Sequence, residues 1–423
     1  MTSRECYVYI TLPNQYEQVT AGKFVLDTNI RGDNIGRFVY GKSYLDRPDD
    51  VELDPIELRL TDKVYETAML KGIFGSIRDA SPDFWGRELI DRHLGGSVDE
   101  IEYLLQSPDD RSGALGFGLN QVPPAPKKLF NQMIDLVDLQ EYALDILNER
   151  SSDLSIDKNK QKQIEKLLLL GTSMGGARPK AVVESDNSLW VAKFNAPTDY
   201  WNNALVEHAM LLLAQKCGLS VADSKVVNVA GKNVLLVKRF DREKTNLGYL
   251  RSRMISSMTV LRSGDSHTER RNWSYVILAE ELRKFSNSAK ADAKELFKRM
   301  VFNALISNTD DHPRNHAFIA KNANDWHLSP AYDLTPTAPV SIERRDLALE
   351  CGKHGRFANK NNLMSEAERF LLSKEEASAI IDTMYDIIAN SWYKIARSAG
   401  VSDNDCDKIK TAFCYEGFNY DIK

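Results

Sequence analysis

The stretch Asn308-Thr309-Asp310-Asp311-His312-Pro313-Arg314-Asn315 constrains this chain more than any other, because it sets an aspartate and an asparagine at the D-x-x-x-x-N spacing of a phosphotransferase catalytic loop. At that spacing Asp310 can orient and deprotonate a hydroxyl nucleophile, while the amide oxygen of Asn315 helps to hold the Mg2+ that neutralises phosphates. Asp311 stands one residue too close to Asn315 for the same role. Aspartate and asparagine also gather in ordinary turns, where their side chains bond the local backbone, so the spacing alone leaves both readings open.

The flanking sequence supplies the other parts that such chemistry requires. Residues 316–320, a polar turn at 321–325 and residues 326–328 read as a short hairpin, after which Ser329-Pro330-Ala331-Tyr332-Asp333 delivers a second acid. Asp333 is thereby the candidate for the main metal ligand, with an Asx-type turn before Pro336 as the alternative. Upstream, Leu189-Trp190-Val191-Ala192-Lys193-Phe194 puts a lysine on the second strand of a hairpin that begins at residues 181–184. A lysine ending a strand is otherwise simply solvated. Before it lies Gly171-Thr172-Ser173-Met174-Gly175-Gly176-Ala177-Arg178-Pro179-Lys180, whose small residues let backbone amides approach phosphates. It lacks the Gly-Lys-Ser/Thr ending of a P-loop, and a plain helix-to-strand turn is the other reading. The predicted helix over residues 202–217 carries Glu207 on a largely apolar surface. A carboxylate there needs a partner, and Lys193 is the one a kinase lobe offers, unless Glu207 faces solvent or pairs locally.

Taken in order, these elements follow the layout of a kinase, and the chain resembles the HipA-like serine/threonine kinases, the toxin components of bacterial type II HipBA toxin–antitoxin modules. The resemblance rests on the loop 171–181, on Lys238-Arg239-Phe240-Asp241-Arg242, on residues 308–315 and on residues 329–333. It extends to residues 75–87 and 109–115, so it covers nearly the whole chain. It implies an α+β, bilobal protein-kinase-like fold with an N-terminal α+β module, a strand-rich nucleotide lobe and an all-helical C-terminal lobe. It further implies Asp310 as the catalytic residue and ATP with Mg2+ as cofactors. The nucleotide would contact Gly175, Gly176, Ala177, Arg178, Pro179, Lys180, Lys193, the hinge Lys238, Arg239 and Phe240, then His312, Pro313, Arg314, Asn315, Tyr332 and Asp333. Mg2+ would sit between Asn315 and Asp333. Ser173 matches the serine that family members autophosphorylate, which expels the loop and switches the kinase off, and Thr172 beside it offers a second hydroxyl. A phosphate there brings about −1.5 to −2 charges into a pocket built for another phosphate chain, and Arg178 is a candidate partner for it.

Composition sets the frame. With 423 residues and 43% hydrophobic content the chain can bury large cores. The pattern divides it into a module at 1–116, a helical connection at 117–163, a nucleotide lobe at 164–245 and a helical lobe at 246–423. A net charge of −5 speaks against a primary nucleic-acid binder. In the family, DNA contact comes through a helix-turn-helix antitoxin of HipB type that binds the kinase, and some relatives phosphorylate aminoacyl-tRNA synthetases. The five scattered cysteines form no disulfide framework or zinc spacing. The N-terminus reads as a strand and no apolar run reaches membrane-spanning length, so a cytoplasmic protein is expected. Two other functions fit fewer of these features: a small-molecule kinase sharing the aspartate–asparagine logic, and a non-catalytic nucleotide-binding co-repressor.

Overall fold

Alternation along the first strands dictates the first sheet. In β1 (Ser3–Thr11) Cys6, Val8 and Ile10 point to one face, and in β3 (Asn34–Tyr40) Phe38 and Tyr40 do the same. With β2 (Gln18–Thr28), β4 (Tyr65–Thr67) and β5 (Leu115–Gly118) they form an antiparallel sheet of order β4-β3-β2-β1-β5. Its inner face packs on Ile77, Ile101 and Leu104. The computed structural model describes residues 3–125, 130–148, 178–266, 268–338 and 341–422. The segment 171–177, with Thr172, Ser173, Gly175, Gly176 and Ala177, therefore lies outside the described residues, as do residues 149–170 before it.

The expected nucleotide lobe contains a second sheet, ordered β6-β7-β8-β10-β9, made of β6 (Asn131–Gln132), β7 (Lys180–Ser185), β8 (Ser188–Phe194), β9 (Ser224–Val229) and β10 (Lys232–Lys238). The β7–β8 hairpin turns at Asp186 and Asn187, with φ of 49° and 55°. Positive φ at both central residues is the twist-compatible two-residue turn, and Asp and Asn tolerate it best after glycine. One face of this sheet is covered by residues from far upstream. Trp85 and Leu89 of the helix Phe84–Leu94, together with Leu139 and Ala143 of the helix Leu136–Asn148, pack on Ala181, Val183, Trp190 and Ala192. Trp85 is fully buried and its indole nitrogen donates to the Lys180 carbonyl at 3.3 Å.

A two-stranded ribbon of β11 (Arg242–Lys244) and β12 (Tyr249–Arg251) leads into the helical lobe. The helices Tyr275–Leu282, Ala289–Leu305 and Lys374–Ser398 surround a core that includes Leu296, Phe297, Met300 and Ile381. The last begins with the expected capping box: Glu376 N–H donates to Ser373 Oγ at 3.1 Å, and Ser373 N–H donates to a Glu376 carboxylate oxygen at 2.9 Å. The lobe is not purely helical. β13 (Arg253–Ser256), β14 (Ala317–Ala320) and β15 (Trp326–Leu328) form a small sheet whose last two strands are the expected hairpin after the catalytic loop. Among the described residues no helix is long and apolar enough to cross a membrane.

Beyond the apolar contact through Trp85, a buried charge cluster ties the first module to the hinge between the lobes. Arg239 donates to Asp241 through Nε at 3.0 Å and Nη2 at 2.8 Å, to the Arg111 carbonyl at 2.8 Å, and also to the Asp110 carboxylate. Asp241 accepts as well from the Gly113 N–H at 2.9 Å and from Arg242 at 2.8 Å. Burial opposes its charge, but Arg239 and Arg242 outweigh that and hold its carboxyl far below the usual range. Without Arg239, Asp110 loses its guanidinium contact and Asp241 gives up two of its charged hydrogen bonds in a dry place, keeping Arg242 as its countercharge. Arg239→Ala is therefore expected to cost about 3–5 kcal/mol in urea unfolding; a loss under about 1 kcal/mol, the level of an exposed ion pair, contradicts this account.

Candidate active site

The site is assembled around one ammonium group. Lys193, on β8, donates through Nζ to Glu207 Oε1 at 2.6 Å and to Asp333 Oδ1 at 2.7 Å. Glu207 comes from the helix Asn203–Lys216, whose N-cap Asn202 accepts from the Leu205 N–H at 3.2 Å and so fixes where the helix begins. This sets Glu207 at 5% exposure beside Val206 and Met210, with Lys193 as its countercharge. Burial pushes the Glu207 carboxyl up, while Lys193 pulls it back. For Lys193 itself, desolvation opposes the charge, but Asp333 and Glu207 outweigh it and raise its pKa. Asp333 arrives at the end of the β14–β15 hairpin with φ of 59°, a left-handed conformation that aspartate tolerates. Desolvation again works against its charge, and Lys193 holds its carboxyl well below the usual range.

The loop carrying Asp310 is fixed from beneath by a buried polar chain. Asn308 donates to Asn303 Oδ1 at 3.0 Å, Asn303 donates to the Tyr275 hydroxyl at 3.2 Å, and that hydroxyl donates to Asp311. His316 Nε2 closes the chain on Asp311 Oδ2 at 2.8 Å. Asp311, at 1% exposure, is thus a structural anchor of the loop, while Asp310 beside it is exposed on the cleft side. Burial and then Asp311 raise the Tyr275 pKa well above normal, so the phenol stays protonated and can donate. Pro313–Asn315 forms a single 3-10 turn that brings Asn315 under Asp310, its Nδ2 donating to the Asp310 carbonyl at 3.5 Å. This leaves Asn315 Oδ1 for a cation.

Lys193, Asp333, Asn315 and His312 border two adjoining cavities. The smaller, about 190 Å³, also holds Asp310, Glu207 and Arg178. The larger, about 760 Å³, runs past Val191, Val237 and Phe240 toward the first module. Phe240 and Tyr332 face each other with ring centroids 5.6 Å apart, forming an apolar end suited to a base. Lys180 pairs in register with Lys193 across β7 and β8, so two lysines border both cavities. Burial lowers the Lys180 pKa, offset in part by Asp83. Hard oxygen donors from Asn315 and Asp333 suit Mg2+, which takes one or two protein ligands and completes its shell with phosphate oxygens and water.

Several expected contacts look different in the structure. The Arg239 guanidinium is committed to Asp110 and Asp241, so a nucleotide contact from that residue has to come from its main chain. Arg178, expected to contact the nucleotide and a candidate partner for a phosphate on Ser173, pairs with Asp199 at 3.0 Å. Lys238 pairs loosely with Asp223 at 3.5 Å, beyond the cleft lining it contributes to. Sequence reasoning also missed a wall of the cleft. Arg78, Asp79, Asp83, Phe84 and Arg87 of the first module line the larger cavity opposite Arg314 and Asn315. Burial raises the Asp83 pKa to about 6, with Lys180 and Arg314 acting against it. The only hint was that residues 75–87 carry part of the family resemblance without any role attached.

Comparison with known proteins places this geometry. The model of the HipA-like C-terminal domain matches residues 172–392. A Haemophilus influenzae protein named "Putative kinase" is 25% identical over 151 residues, 34% of this chain and 44% of that protein. The Sinorhizobium fredii "Putative kinase Y4dM" is 25% identical over 222 residues, 48% of this chain and 51% of that protein. The chain thus spans about half the length of the curated relatives it matches. The structure of the Shewanella oneidensis MR-1 toxin–antitoxin protein HipA, solved with HipB and operator DNA, aligns with a TM-score of 0.66 at 15% identity. That alignment covers 96% of this chain and 94% of that one, which establishes a shared fold.

The ion-pair geometry predicts a pH signature. A carboxyl whose folded pKa lies above its unfolded value costs stability as pH rises past the ordinary value, here 4.5, until the folded pKa is passed. Lys193→Met removes the cation that offsets this for Glu207. Its loss of stability relative to the unsubstituted protein should be distinctly larger at pH 8 than at pH 5, with Glu207→Gln on the same background recovering much of the difference. Urea midpoints at the two pH values check this, and an equal loss at both refutes it.

Proposed function

The chain belongs to the HipA-like family, and from that premise we propose that it is an ATP-dependent protein kinase acting on serine or threonine hydroxyls. The observation that carries the reading is Lys193 bridging Glu207 and Asp333 over a cleft that Asp310 and Asn315 also border. Coincidental turns do not assemble a strand lysine, a helix carboxylate and a loop carboxylate at hydrogen-bonding distance, with a second loop acid on the same cleft, in the order that phosphoryl transfer requires.

In this reading the base of ATP lies between Val191, Val237 and the Phe240–Tyr332 pair, with the hinge backbone at its edge. Lys193, held rigid by Glu207, neutralises phosphate oxygens, and Lys180 adds a second positive charge. Asn315 and Asp333 would hold Mg2+, which when bound screens the phosphate charge and orients the terminal phosphoryl group. Asp310, exposed at the floor, accepts the hydroxyl proton of the acceptor as the bond to phosphorus forms. Asp311 fixes the loop and takes no proton. The 3-10 turn keeps Asn315 and Asp310 on one rigid segment, so base and metal ligand move together.

Ser173, or Thr172 beside it, is the proposed site of inactivating autophosphorylation, supported by its place in the glycine-rich segment. The likeness to a HipA solved with HipB supports a helix-turn-helix antitoxin as partner, with DNA reached only through it. Growth arrest through phosphorylation of a cellular protein, an aminoacyl-tRNA synthetase being one candidate, completes the proposal.

Purified protein with Mg-ATP should label itself on Ser173 or Thr172, read by phosphopeptide mapping. Asp310→Asn should cut that labelling by about 10²–10⁴-fold while nucleotide binding persists, and should abolish growth arrest on expression. Transfer that survives in Asp310→Asn sinks the assignment of the base. Nucleotide binding with no transfer by the unsubstituted protein favours a co-repressor scaffold instead.

A further inference from the structure

Two arginines from opposite walls of the cleft meet on one carboxylate. Arg78, in the helix Gly75–Asp79 of the first module, donates through Nη2 to Asp265 Oδ2. Arg314, which immediately precedes Asn315, reaches the same oxygen at 2.8 Å. Both line the large cavity, as does Asp265. The Arg78 and Arg314 side chains are 20% and 28% exposed, whereas Asp265 is 53% exposed. A well-covered pair of cations therefore faces an acid that sits in the open cleft mouth.

The surroundings identify what the pair is for. Two guanidinium groups brought together in a partly dry place repel each other, and burial followed by Arg314 lowers the Arg78 pKa. Asp79, the nearest acid on the same wall, is already taken: it accepts from the Ser256 N–H at 2.6 Å, from Ser256 Oγ at 2.7 Å and from Thr259 Oγ1 at 2.6 Å. Glu269 turns toward the Ser266 N–H and hydroxyl. Among the described residues, Asp265 is the acid that pairs with both arginines. It does so from the irregular segment between Leu261 and the turn Glu269–Asn272, held there by Arg270 donating to its carbonyl at 2.8 Å. Its acid is thus a tethered occupant of a carboxylate-binding fork.

We propose that Arg78 and Arg314 form the acceptor-specificity site of this cleft, taking a carboxylate of an Asp or Glu close to the acceptor hydroxyl of the protein substrate, and that Asp265 fills the fork when no substrate is bound. This rests on the protein-kinase reading of the same cleft. Arg314 is joined through Asn315 to the turn under Asp310, so an acid seated on it lies a few residues along an extended chain from the hydroxyl. Phe84, 67% exposed on the same wall, gives that chain an apolar contact. Exchange of one carboxylate for another keeps the arginines neutralised at every stage, so substrate entry never leaves two unpaired cations.

The test uses two dye-labelled peptide pools centred on serine, identical except for Asp/Glu against Asn/Gln at the flanking positions. Binding to the full chain is read by anisotropy with Mg2+ and a non-hydrolysable ATP analogue. The acidic pool should bind about fivefold more tightly, as expected of ion pairs worth about 1 kcal/mol. Arg78→Gln should erase the preference. Asp265→Asn, which removes the competitor and keeps the shape, should tighten the acidic pool and leave the amide pool unchanged. Equal binding of the pools, or a preference that survives Arg78→Gln, overturns the proposal. So does weaker binding of the ATP analogue by Arg78→Gln without any acidic preference, because the fork then belongs to the nucleotide phosphates. Phosphate transfer to the pools is scored separately: acidic preference without transfer counts against the kinase reading and leaves the fork's assignment standing.

Discussion

Everything in the cleft is referenced to the position of Lys193 Nζ. It lies between a helix carboxylate at 2.6 Å and a loop carboxylate at 2.7 Å, so one side chain fixes the sheet against the helix Asn203–Lys216 and both against the helical lobe. Glu207 would be costly to bury without it, and Asp333 would lose the cation that holds its carboxyl in the charged form. The two acids in turn prevent Lys193 from losing its proton in a partly dry cleft. The result is a preorganised cation whose charge is fixed by its neighbours, which is what stabilising phosphate charge demands.

A second constraint lies beneath the loop. Asp311 and Asp310 are adjacent and chemically identical, yet one is sealed under Tyr275 and His316 while its neighbour faces the cleft. The division is held by partners: Tyr275 and His316 bond the Asp311 carboxylate in the interior, while Asp310 lines the cleft. The buried Asn303–Tyr275–Asp311 chain then keeps that arrangement from relaxing.

Much of this was legible in the sequence because it was local. Spacing marked Asp310 and Asn315 as candidates, the predicted hairpin placed Lys193 on its second strand, and the hairpin before Asp333 was readable from its apolar runs and polar turn. The capping box at Ser373 fixed a helix start without any tertiary information. What escaped were features made by long-range closure. Nothing near Arg239 announces that Asp110, 129 positions away, will claim its guanidinium. Asp265 sits in a polar loop that reads as solvated, and only the fold brings Arg78, 187 positions away, onto it. The strands of the helical lobe were likewise half visible: β14 and β15 form a local hairpin, whereas β13 joins them from 60 residues upstream and has too few residues to signal itself.

Trp85 and Arg239 together bear on where this protein can be divided. The family match begins at residue 172, which suggests an autonomous catalytic unit from there onward. Yet the face of the nucleotide sheet formed by Ala181, Val183, Trp190 and Ala192 is covered by Trp85, Leu89 and Leu139, all upstream of that point. Arg239 shares its guanidinium between Asp241 and Asp110, and the second of these is also upstream. A fragment cut at the family boundary would carry an exposed apolar sheet face and a buried arginine stripped of one of its two carboxylates. The unit that inheritance recognises is smaller than the unit that folds, and the N-terminal module is as much a part of the protein's interior as of its surface.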